Sequence, residues 1–196
     1  MSAARQFTGF SRLLHWVMAA MVVAMLFIGV SMVASLANYH LLVSIHRPLG
    51  IAILVLVVIR FVNRLINPPP LPDDLPSWQR AAASASHIVL YALLFAMPLV
   101  GWAMLSAARY PIVLYGTLHL PPILPHDPML YAALRRAHTA LAYLLFATFI
   151  AHLGAALMHG LVYRDSVFAS MAPWKIKARR GAPARVVTVA GSPSDS

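Results

Sequence analysis

Three long stretches of the chain carry no Asp, Glu, Lys or Arg: Leu13 to His46, Ala81 to Ala108 and Ala137 to Tyr163. Runs of about 18 or more uncharged, mostly apolar residues mark helices that can cross a bilayer. A fourth candidate, Val43 to Ile66, is interrupted: Pro48 to Ile59 is too short alone and lies between Arg47 and Arg60, with Arg64 beyond. Arginine stems at a helix end can reach the headgroup layer, so this segment is also read as a span. The pattern predicts four helices, near 12–34, 43–65, 83–106 and 137–162. The first is read as an uncleaved span, because Leu13 to Leu36 far exceeds the roughly 7–15 apolar residues of a signal peptide.

Composition agrees with this pattern. Apolar residues make up 61% of the 196 and charged residues only 10%, against about 25% in a soluble domain. The expected fold class is therefore all-α, an integral membrane four-helix bundle. Lys and Arg set its orientation. With the N-terminus inside, eleven of the fifteen fall on the cytoplasmic side, and only Arg47, Arg109, Arg135 and Arg136 fall on the other. Both termini are expected to be cytoplasmic. The net charge of +10 is then mostly a topology signal, and nucleic acid is not an expected partner. Trp174 to Arg180, with Lys175, Lys177 and Arg179, reads as an interfacial anchor against anionic lipid. Residues 175–196 are expected to form a basic cytoplasmic tail, disordered from Gly181 onward.

The links are distinctive. Asn67 to Pro76 is proline-rich and should be stiff and extended. Arg109 to Arg136 is long and apolar for a loop and is expected to fold over the periplasmic end of the bundle, with Asp127-Pro128 starting a short helix that leads into the fourth span. Pro98 with Gly101 should kink the third helix.

The chemistry lies in the histidines. There is no cysteine, which excludes disulfides, cysteine-ligated iron–sulfur clusters and covalently attached haem. There is no Glu, and all five Asp lie outside the spans, so a carboxylate-lined ion or proton path is absent. Six of nine histidines fall in or at the ends of the spans: His15, His46, His87, His138, His152 and His159. Buried polar groups in a bilayer are costly and mark function. A single one is as often a structural hydrogen bond; six are not explained that way. His138 and His152 are fourteen residues apart, almost four helical turns, so they share a face about 21 Å apart along the axis. Two imidazoles at two depths suit two haems, each needing a second ligand from a facing helix. Topology pairs His46 with His138 near the periplasmic end. Depth alone leaves the inner pair open among His15, His87, His152 and His159. Gly29 and Gly101 stand fourteen residues after His15 and His87, where a missing side chain would admit a flat macrocycle. Arg60, fourteen after His46, could meet a haem propionate or simply mark topology.

FSRLLHW (Phe10–Trp16), IHRPLGIAILVLVVIRF (Ile45–Phe61), SHIVLYALLFAMPLVGWAM (Ser86–Met104) and RRAHTALAYLLFATFIAHLGAALMHGLVYRD (Arg135–Asp165), in this order, resemble the bacterial cytochrome b561 family, most of all its superoxide-oxidising member. The resemblance covers residues 8 to 174. It implies that 1–174 form one transmembrane cytochrome b domain with two haem b groups and a bound ubiquinone, in a bacterial inner membrane. His46 and His138 would ligate the outer haem. His15 and His152 would ligate the inner one, a choice also resembling the cytochrome b subunits of membrane formate dehydrogenases. His87 and His159 would remain for the quinone headgroup. The implied reaction takes electrons from superoxide to ubiquinone. Arg135, Arg136, Arg47 and Arg109, on a side otherwise poor in cations, could focus that small anion onto the outer haem; the plainer role is propionate pairing. Two rivals are an electron-carrying anchor subunit of a larger oxidoreductase, with a protein partner, and a haem-free metal transporter.

Overall fold

The computed structural model describes residues 7–68, 76–114, 116, 118–164 and 166–172. Most of the proline-rich link, the Trp174–Arg180 anchor and the tail lie outside the described residues. Four long helices dominate: α1 (Gly9–Ala34), α2 (Tyr39–Ile66), α3 (Ser77–Ala107) and α4 (Pro128–Leu157). A π-helical turn, Met158–Tyr163, continues α4, and a short helix α5 (Ser166–Met171) follows. With that turn, the four segments run 26, 28, 31 and 36 residues and are apolar enough to cross a membrane. At about 1.5 Å per residue each exceeds a hydrocarbon core of about 30 Å. The protein is a membrane-spanning helical bundle.

The helices outrun their predicted bounds for local reasons. Thr8 caps α1, its hydroxyl accepting from the Ser11 amide at 3.2 Å. Asp127 caps α4, accepting from the Met129 and Leu130 amides at 2.8 and 3.1 Å, with Pro128 in the first turn. Such caps satisfy amides that the helix itself leaves unpaired. Asp127-Pro128 therefore starts α4 itself, not a separate short helix. Likewise His46 sits two turns inside α2, which runs on through Pro48, and α3 runs on through Pro98.

The link between α3 and α4 holds a two-stranded antiparallel hairpin, β1 (Ile112–Leu114) and β2 (Leu118–Leu120), with Ile112 opposite Leu120 and Leu114 opposite Leu118. This is the one departure from an all-helical chain among the described residues. Gly116 takes φ +79° at its turn, a conformation open to glycine. The hairpin lies over one end of the bundle, as expected of this loop. Ile112 is buried and β1 packs on α2. The rest is fastened to the end of α3: the Trp102 indole donates to the Pro121 carbonyl (3.0 Å), the Ile123 amide to the Ser106 hydroxyl (3.1 Å), and the His126 ring bonds the Ala107 carbonyl (2.8 Å).

At the other end α5 folds back beneath α1. Arg12 donates to the Ala172 carbonyl at 3.3 Å and the Trp16 indole to the Met171 carbonyl at 2.9 Å. A Cβ on Gly160 would lie 3.0 Å from the Phe168 ring, so glycine here lets α5 pack closely on the π-helical turn without displacing that ring. Close helix packing joins α1 to α2, α2 to α3 and, most extensively, α3 to α4. The pairs α1–α4 and α2–α4 barely touch through their backbones, and that gap shapes the site.

Candidate functional site: two facing histidine pairs

The fourteen-residue spacing on α4 sets the site. His138, toward the hairpin end, faces His46 of α2 with ring centres 6.3 Å apart. His152, toward the α5 end, faces His15 of α1 at 6.4 Å. The rings cross at 67° and 70°. Each pair thus bridges two helices that do not pack closely. His87 of α3 also approaches His152, at 5.6 Å, but across the tightest helix pair of the bundle. All five rings are partly buried.

The space beside His138 depends on Gly101, whose missing Cβ would lie 3.3 Å from Cε1 of that ring. The placement of Gly101 beside this ring matches its predicted depth. Nothing lies within 4 Å of a Cβ on Gly29.

The two pairs differ in what holds their outer nitrogens. Nδ1 of His46 and Nδ1 of His138 are buried without a hydrogen-bond partner. The Met97 carbonyl lies toward the latter, short of good bonding geometry. Nδ1 of His15, by contrast, is 3.1 Å from Nη2 of Arg60, whose Nη1 donates to the Ser11 carbonyl at 3.1 Å. Asn63 in turn donates to the Ser11 hydroxyl at 2.7 Å. Arg60 therefore turns to a histidine and a backbone carbonyl within the chain. Ser11 and Asn63 escaped the reading of the sequence. Their only signal is position: Ser11 is one turn before His15, and Asn63 is one turn after Arg60.

The same end holds a cleft lined by Phe7, Arg60, Asn63, Arg64, Tyr91 and Met171, among others. Arg64 lies over the Tyr91 ring, 5.8 Å from its centre. His159 lies in the π-helical turn against Tyr163, at 5.3 Å, and π-turns recur at functional sites. At the hairpin end, Arg135, Arg136 and Arg109 are exposed and Arg47 is half-buried. Arg136 bonds only its own helix, at the Ala132 carbonyl. Arg47 acts electrostatically on His46, and Nδ1 of neither outer ring is bonded to an arginine.

The sequence model of the prokaryotic cytochrome b561 family matches residues 6–174. The chain belongs to the prokaryotic cytochrome b561 family. Cytochrome b561 homolog 2 of Escherichia coli (strain K12) is 32% identical over 163 residues, covering 80% of this chain and 86% of that protein. Cytochrome b561 homolog 1 of the same strain is 28% identical over 171 residues, covering 82% and 93%. A probable superoxide oxidase, CybB, of Yersinia pestis is 32% identical over 136 residues, covering 67% and 74%. Cytochromes of the b561 family bind haem b and transfer electrons in membranes.

The residues fit that group. Imidazole nitrogens bind metals at about 2 Å, and a ring centre lies just over 1 Å behind its nitrogen. Two imidazoles sharing one metal axially should therefore have ring centres a little over 6 Å apart. The separations of 6.3 and 6.4 Å match this, and 5.6 Å falls short. A bare metal ion wants three or four ligands converging. Among the described residues no three His, Asp or Glu do so.

Proposed function

We propose that this cytochrome oxidises superoxide at the hairpin end and delivers the electrons to ubiquinone at the α5 end. His46 and His138 hold one haem b, and His15 and His152 hold a second. The observation that carries the reading is the repeated facing pair, at two depths of α4, across the two loosely packed helix pairs. The family and the four spans support a bacterial inner membrane location, and the positive-inside bias supports a periplasmic hairpin end and cytoplasmic termini.

Bound haem supplies the one-electron chemistry. Around it, the chain supplies ligands, spacing, charge and proton-handling groups. Two superoxide anions become two molecules of dioxygen and yield two electrons; with two protons these reduce ubiquinone to ubiquinol. His87 and His159, on the α5 half of the bundle, are suited to bond the quinone headgroup and pass it protons. The name of the Yersinia relative supports superoxide as donor, as does the cationic end with Arg135 and Arg136. Exposed charges of this kind act on the encounter rate and are screened by salt.

The purified protein alone should therefore be reduced by superoxide. Replacing Arg135 and Arg136 with glutamine should slow that reduction about tenfold at low salt and flatten its dependence on ionic strength. An unchanged rate with an unchanged salt slope would remove the steering role. A wild-type protein that superoxide leaves oxidised, yet a periplasmic protein donor reduces, would favour the anchor-subunit reading. The exposed Tyr110, Val113 and Leu118 around the hairpin would then be a docking surface.

Gly101 offers a test of the outer pair. Gly101→Val adds carbons where a Cβ alone already crowds His138. The variant should lose about half its haem, the part held through that ring. A wild-type haem-to-protein ratio would show that this close approach is dispensable.

A further inference from the structure

The two pairs stand in unequal electrostatic surroundings. The nitrogen behind each outer ring is buried and has no hydrogen-bond partner, and Arg47 is the one charged side chain that acts on His46. Behind His15 stands a guanidinium, 3.1 Å away and anchored to the Ser11 carbonyl. Arg60 is partly buried, between helices in a membrane, where solvent screens its charge poorly. Arg64 lies one turn further along α2 and adds a second positive charge on the same side. At the hairpin end Arg109, Arg135 and Arg136 are exposed, where water and salt weaken their field, and half-buried Arg47 acts on His46 without bonding its Nδ1.

We infer that Arg60 is a positioning residue that makes electron transfer from the outer to the inner haem downhill. This rests on the two-haem reading above. A reduced haem iron carries one positive charge fewer than an oxidised one, so a fixed cation beside it favours the reduced state. Arginine stays charged at any relevant pH, so the bias is permanent. The hydrogen bond also has a consequence for His15. Arginine has only donors, so Nδ1 must accept in this contact. A metal bound at Nε2 leaves the ring proton on Nδ1. Arg60 then gives up that one bond and keeps its anchor at the Ser11 carbonyl. Its charge remains beside the ring, so the electrostatic effect outlasts the hydrogen bond.

The test is a potentiometric titration of the purified protein with haem counted in the same sample. Arg60→Gln removes the charge and can still accept from an Nδ1 proton. It should move the equilibrium distribution of one electron between the haems about tenfold toward the outer one, a fall of about 59 mV in the inner potential. Arg60→Lys keeps the charge and should retain most of the wild-type potential. Asn63→Asp leaves Arg60 in place but sets a carboxylate against its Ser11 anchor, and should lower the same potential. An unchanged or raised inner potential in Arg60→Gln, with both haems present, overturns the proposal. If Arg60→Gln sheds a haem, Asn63→Asp decides by the same criterion. Loss of a haem in both variants would make this cluster a structural support and overturn it equally. A wild-type protein with fewer than two haems would instead defeat the two-haem reading, whatever Arg60 does.

Discussion

His138→Ala should lower the haem content of the purified protein by about half and abolish its reduction by superoxide. The reason is that no other ring can replace it. Of the remaining histidines toward the hairpin end, His126 is committed to the Ala107 carbonyl, His40 packs against Tyr39 before the first turns of α2 are complete, and His119 sits in β2 opposite Val113. His46 would be left with one open side and a buried, unbonded Nδ1. The inner pair, roughly 21 Å further along α4, would keep its own ligands. The check is a haem-to-protein ratio and a superoxide-reduction trace on the same sample. Full haem content, or superoxide reduction at the wild-type rate, would refute the outer-pair assignment.

The second large effect separates two histidines that the sequence leaves equal. His15→Ala should lose the inner haem and all transfer to ubiquinone, while superoxide still reduces the haem that remains. His87→Ala should keep both haems and lose only part of its quinone turnover. Two observations favour this outcome. The His15–His152 separation suits a shared metal and the His87–His152 separation falls short. In addition, α3 packs tightly on α4 while α1 stands away from it, so only the α1 side leaves room for a flat macrocycle. Visible spectra of both variants decide the matter. Two haems in His15→Ala and one in His87→Ala would reverse the assignment.

The four spans were legible because lipid demands long uncharged runs, and the ends were not because charge marks the membrane edge rather than the helix end. Arg135 and Arg136 break the uncharged run, yet α4 begins at Pro128 under the Asp127 cap. Ser77 to Arg80 lies ahead of the uncharged run that begins at Ala81, yet the alanine-rich stretch after it carries the helix back to Ser77. The hairpin is two three-residue strands, too short to show a period. Within the site, the fourteen-residue spacing on α4 gave the two depths, and topology gave His46 its partner. The bond from Arg60 to His15 joins residues forty-five positions apart. Periodicity along one helix carries no information about that contact, since it depends on how α1 packs on α2.

One feature of α4 bears on how such a chain matures. It contributes a ring to each facing pair, while α1 and α2 contribute one apiece. A ribosome that has released only the first three spans has therefore made neither binding place. On the proposed two-haem reading, pigment uptake must wait for the last span to enter the bilayer, and then both places become available together. If the proposed haem sites are correct, colour in this cytochrome reports a chain whose fourth span has been made, and one stalled before it should stay pale however much porphyrin the cell provides.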